Sequence, residues 1–212
     1  ALVAPIAGVT VSADGTWSFD PRGRHDALSP GQSDSVTFSF TASDGVAVSQ
    51  RATVTITVAG LNDAPTVSGP ASATVKEGDL VRATFTGADI DRDDSVALAL
   101  VSGPATASFD PRTGAFKWRA PDGPAAETVL IRATDSHGLS TDHSYKIAVT
   151  DVAPTLTLSG AATIEVGAEW TLTLGSADPG DDPPLGWTID WGDGTLLPTT
   201  TGQRVCMVCT PG

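Results

Sequence analysis

The chain has 212 residues, of which 25 are acidic and 12 basic, for a net charge of −13. That balance argues against nucleic acid, which needs basic patches, and against anionic membrane surfaces. No apolar run approaches the roughly 18–20 residues of a membrane span, so no membrane insertion is expected in this segment.

In chain order the predicted elements share one period. Val36, Phe38, Phe40 and Ala42 alternate with polar neighbours, as do Val54, Ile56 and Val58. Val81, Ala83 and Phe85 follow, then Phe116 and Trp118, then Val129, Ile131 and Ala133, then Tyr145, Ile147 and Val149. Trp170, Leu172 and Leu174, then Trp187, Ile189 and Trp191, close the series. A period of two predicts strands with one buried face, and no window carries a convincing helical period. The 28 threonines, 22 glycines and 15 prolines agree with β-branched runs punctuated by breakers. The fold class is therefore expected to be all-β, with the five tryptophans packed in cores. Residues 202–212 lack alternation and are expected to be irregular. Cys206 and Cys209 are the only cysteines, so no disulfide framework holds the body.

The chain repeats itself. Ser18-Phe19-Asp20-Pro21-Arg22 returns as Ser108-Phe109-Asp110-Pro111-Arg112, 90 residues on. Asp63-Ala64-Pro65-Thr66 returns as Val152-Ala153-Pro154-Thr155, 89 residues on. A period near 90 is one β-sandwich per repeat; solenoids and propellers repeat every 20–50 residues or so. Three units are expected: 1–62, 63–152 and 153–212, the first and last shortened. Residue 1 is Ala and no signal-peptide pattern opens the chain, which is expected to be a piece of a longer protein.

These residues carry resemblances. Val9 to Trp17, with the Asn62-Asp63-Ala64-Pro65 junction, resembles the later part of a VCBS-type repeat of large bacterial surface adhesins. The middle unit, through Phe109-Asp110-Pro111-Arg112-Thr113-Gly114 and Trp118, resembles a dystroglycan-type cadherin-like domain. The last unit resembles a PKD repeat, through Asp178-Pro179-Gly180-Asp181 and Trp191-Gly192-Asp193-Gly194-Thr195. These resemblances imply tandem immunoglobulin- or cadherin-like β-sandwiches in a linear array, extracellular or surface-attached.

The cadherin-like resemblance also implies calcium between repeats. Of the 25 acids, 21 are Asp, and Asp supplies compact oxygen ligands to hard cations. At the first junction the implied ligands are Asn62 and Asp63 of the linker, Asp89 and Asp91 of one loop, and Asp135 at the end of a later strand, with Asp93 and Asp94 as spares. Gly60 stands where the family's linker opens on Asp. At the second junction the implied set is weaker: Glu77, Asp151, Asp178 and Asp181, with Asp122 nearby. Against both stands the ordinary reading, in which these acids cap turns and keep the chain soluble.

Catalytic patterns are absent. There is no Gly-x-Ser-x-Gly and no phosphate loop, and the three histidines lack metal spacing. No enzyme is expected. The expected function is a spacer or adhesion segment with calcium-stiffened junctions; the alternative is a set of accessory modules of a secreted hydrolase. Calcium is the expected cofactor, and cell-surface or matrix polysaccharide or protein the expected further partners.

Overall fold

The computed structural model describes residues 6–12, 14–180, 186–190, 196–200 and 205–208. Every regular element among them is a β-strand, and no helix is long and apolar enough to cross a membrane.

The described residues of the first unit form two hairpins. β1 (Val9–Val11) pairs with β2 (Trp17–Phe19), and β3 (Ser33–Phe40) with β4 (Ala52–Ala59). In the second hairpin Val36 opposes Ile56 and Phe38 opposes Val54, while Thr37 and Thr55 join hydroxyls 3.2 Å apart on the other face. Trp17 meets Phe38 edge-on with ring centroids 5.2 Å apart, so one hairpin packs on the other. Two small sheets cover little. Phe38 is buried, but Trp17 stays 45% exposed beside exposed Val11 and Phe40, which corrects the expectation of a packed Trp17.

The middle unit is a full sandwich. Its strands are β5 (Thr66–Ser68), β6 (Ser72–Lys76), β7 (Leu80–Thr84), β8 (Thr86–Ala88), β9 (Ala97–Ser102), β10 (Ser108–Asp110), β11 (Ala115–Arg119), β12 (Ala125–Thr134) and β13 (Ser140–Thr150). One layer has the order β6-β13-β12-β9. The other holds β10-β11-β7, and β8 continues β7 past Phe85 to pair with β5. The chain changes layer between β5 and β6, and β6 then runs parallel to β13. Inward residues of both layers form the core: Val81, Phe85, Phe116, Trp118, Val129, Ile131, Tyr145, Ile147 and Val149. Each fully buried side chain of this size contributes about 1.5–3 kcal/mol, so stability concentrates in this unit.

The last segment holds β14 (Thr155–Ser159), β15 (Glu169–Ala177), β16 (Gly186–Asp190), β17 (Leu196–Thr200) and β18 (Val205–Val208). β14 and β18 flank β15, and β16 pairs with β17. The expectation of an irregular tail is corrected at residues 205–208: Val205 pairs with Leu172 and Val208 with Glu169. Backbone pairing at the edge of a sheet needs no alternation of side chains. The Trp191–Thr195 motif lies outside the described residues.

Candidate metal centre

The linker Gly60–Pro65 forms no strand, and it passes the ends of β8 and β12. Three stretches meet there: the linker, the loop that begins at Asp89, and the turn that begins at Asp135. Their hydrogen bonds are mutual. Asn62 Nδ2 donates to Asp135 Oδ2 at 2.9 Å, the Asp63 N–H to Asp91 Oδ2 at 2.8 Å, and the Asp91 N–H to Asp89 Oδ1 at 2.9 Å. Asp135 Oδ1 accepts the N–H groups of His137 and Leu139. Asp94 Oδ1 accepts the Ser136 hydroxyl at 2.6 Å and lies 2.8 Å from His137 Nδ1.

What these bonds leave over defines the site. Each of Asp89, Asp91 and Asp94 spends one oxygen on the fold. The second oxygens, Asp89 Oδ2, Asp91 Oδ1 and Asp94 Oδ2, are buried without a partner, as is Asn62 Oδ1. Asp91 is 3% exposed and the Asp94 side chain 1%. Carboxylate oxygens of Asp89, Asp94 and Asp135 lie within 4.8 Å of one another. Buried anionic oxygens left unpaired are costly, and the cost disappears when they coordinate a cation. At Asp135 burial works to raise the pKa, but the hydrogen bonds from Asn62, His137, Leu139 and Gly138 outweigh it and hold the carboxyl below its usual range. The residues thus fit a hard cation with oxygen ligands.

Of the residues singled out from sequence, Asn62, Asp89, Asp91 and Asp135 bring side chains to this place. Asp63 contributes its main-chain N–H, and the residue is exposed. Asp94, taken as a spare, is one of the most deeply buried carboxylates here. The signal for it was present but undirected: the run Asp89-x-Asp91-x-Asp93-Asp94 offers four carboxylates, and only the turn closed by the Asp94 N–H on the Asp91 carbonyl selects among them.

The second junction is built differently. Glu77, 2% exposed, spends both oxygens on main-chain donors: Oε1 on the Val152 N–H at 3.0 Å and Oε2 on the Gly123 N–H at 2.9 Å. Gly180 lies against it, and a Cβ there would stand 2.9 Å from Glu77 Oε2 and would also collide with Asp122 Oδ1. Asp178 Oδ1 accepts the Gly180 N–H. Asp151 is exposed, and Asp181 lies outside the described residues. Among the described residues, the carboxylates gathered closely enough to hold a metal are those of the first junction.

Two family models match parts of the chain. Residues 64–150 match the He_PIG family model, described as "Putative Ig domain", and residues 2–57 match Big_9, a bacterial Ig domain. The chain carries tandem immunoglobulin-like β-sandwich repeats. Among curated proteins none matches it. Similar solved structures include Drosophila N-cadherin EC1-4, at 14% identity and a TM-score of 0.45 over 99% of this chain and 57% of that one. Human CDH23 EC21-23 is similar at 17% identity and a TM-score of 0.46, over 96% of this chain and 71% of that one. The chain thus spans just over half of the N-cadherin fragment.

Proposed function

We propose that this chain is a non-catalytic spacer or adhesion segment of a large secreted or surface-attached bacterial protein, with a first junction stiffened by Ca²⁺. On this reading residues 1–62, 63–152 and 153–212 are successive units of VCBS, cadherin-like and PKD type. The observation that carries the calcium reading is the set of four buried, unpartnered oxygens on Asn62, Asp89, Asp91 and Asp94, drawn from a linker and one loop of the next unit. Immunoglobulin-like repeats are typically structural, and the two family matches agree with a spacer. Among the described tryptophans only Trp17 is exposed, not the pair a sugar platform needs, so the spacer stands ahead of accessory modules of a hydrolase. The proposed partners beyond calcium are cell-surface or matrix polysaccharide or protein.

The chemistry is electrostatic. Two carboxylates about 5 Å apart repel by roughly 3 kcal/mol at an effective dielectric near 20. A bound Ca²⁺ reverses that term and ties the linker to the loop. Extracellular modules hold calcium with dissociation constants of about 10⁻⁴–10⁻³ M. At ten times that constant the ion stabilises the bound form by roughly 1.4 kcal/mol. The expected outcome is a stiffer rod in calcium, with the middle unit folded either way. Small-angle scattering of the chain in millimolar calcium and in chelator checks it. The maximum dimension should narrow in spread with calcium, and Asp89→Ala with Asp91→Ala should remove the difference. Identical profiles for the unmutated chain in both conditions would reject the reading.

A further inference from the structure

The acidic loop has a neighbour that supplies no ligand. The segment between β2 and β3, in the first unit, lies against residues 92 and 93. The Arg92 N–H donates to the Ala27 carbonyl at 3.2 Å, and the Asp93 N–H donates to Ser29 Oγ at 3.3 Å. Gln32 Nε2 donates to Asp93 Oδ2. Gln32 is itself held, because its Oε1 accepts the Ser29 N–H and its main-chain N–H reaches the Ser29 carbonyl at 3.0 Å. Ser29 is 4% exposed, so its hydroxyl is not a casual surface contact.

This segment is also tied to the linker. The Gly60 N–H donates to the Gln32 carbonyl at 3.0 Å. A Cβ at residue 60 would collide with the carbonyl oxygens of Leu28 and Ser29. Glycine at this position is therefore what lets the segment reach the acidic loop. Arg92 and Asp93 sit between Asp91 and Asp94, two residues whose free buried oxygens define the candidate site. Whatever fixes residues 92 and 93 fixes the spacing of those two carboxylates.

We infer that Ser29 and Gln32 are positioning residues for the cation site: the first unit braces the ligand loop from outside the coordination sphere, so the liganding geometry exists before the ion arrives. The inference rests on the calcium reading above. A loop that visits its binding-competent form only part of the time binds more weakly by that fraction. Without the brace, the ion itself must order residues 91–94 against carboxylate repulsion.

Calcium titration of the full chain by calorimetry tests this, with melting in chelator as a second measurement. Ser29→Ala and Gln32→Ala should each weaken calcium binding roughly two- to tenfold, the effect of one lost hydrogen bond, with the ion count unchanged. Gln32→Glu keeps the shape but removes the donor and sets a charge beside Asp93, so it should bind more weakly than Gln32→Ala. Thr37→Ala, on the outer face of β3, should bind as the unmutated chain does. If Ser29→Ala disturbs the first unit, the partly exposed Gln32 pair decides, because a purely structural role would not rank Glu below Ala in calcium affinity. Unmutated chain that binds while the Ser29 and Gln32 variants bind equally well overturns the brace alone. Unmutated chain that binds no calcium overturns the metal site, and the brace with it.

Discussion

The turn-capping aspartates differ from Asp89, Asp91 and Asp94, whose second oxygens are buried without a partner. Asp14, Asp44 and Asp110 are exposed and cap turns. Asp14 Oδ1 accepts the Thr16 hydroxyl and N–H, Asp44 Oδ1 the N–H groups of Ala47 and Val46, and Asp110 Oδ1 the Arg112 N–H. These bonds favour the ionised form and hold all three pKa values below the ordinary 3.8. A depressed pKa contributes stability that is present above the unfolded value and lost as the pH falls through the folded one. The three turns should therefore loosen only below pH 3.8, and a carboxyl-detected NMR titration should place all three midpoints under that value, with or without calcium. Glu77 is a third case, a buried carboxylate spent entirely on main-chain donors. Glu77→Ala strands the N–H groups of Gly123 and Val152, and should cost the middle unit about 2 kcal/mol or more in urea unfolding. An unchanged midpoint would mean that water replaces the carboxylate without loss.

At the scale of elements, single residues decide where strands stop and how loops seat. β7 and β8 read as one alternating strand broken at Phe85. There the Phe85 N–H turns to the Gly114 carbonyl while the ring enters the core against Tyr145, with centroids 5.8 Å apart. Gly114 has φ +67°, and a Cβ there would strike the Phe85 carbonyl. Gly114→Ala combines a left-handed backbone with that collision and should lower stability by about 2 kcal/mol or more, read as a shifted unfolding midpoint. β18 shows the other side of the same scale. Val205–Val208 is a short apolar run without alternation, and it finds a place only because β15 offers an open edge.

Across the whole molecule the packing is uneven. Among the described residues the buried cluster lies between Val81 and Val149. The first unit has Phe38 as its buried apolar residue among those described, and β14 exposes Leu156 and Leu158. Calorimetry should show a middle-unit transition that persists after deletion of residues 205–212, because β18 pairs with β15 and not with the sandwich. A large fall in that transition would place the tail on the middle unit.

The sequence by itself determined the fold class, the strand faces of the middle unit and the acidic character of the first junction. Period-two alternation at Val81, Phe85, Val129, Ile131, Tyr145 and Ile147 is a local pattern, and burial of one face follows from it directly. Three matters waited for the tertiary structure. Trp17 alternates as Trp118 does, yet it stays exposed because two small hairpins cannot cover it. Asp94 and Asp63 look alike in the sequence, but a turn buries one carboxylate and leaves the other residue exposed. Ser29 and Gln32 carry no motif at all. Their relation to Asp93 spans more than 60 residues, and only the meeting of two units creates it.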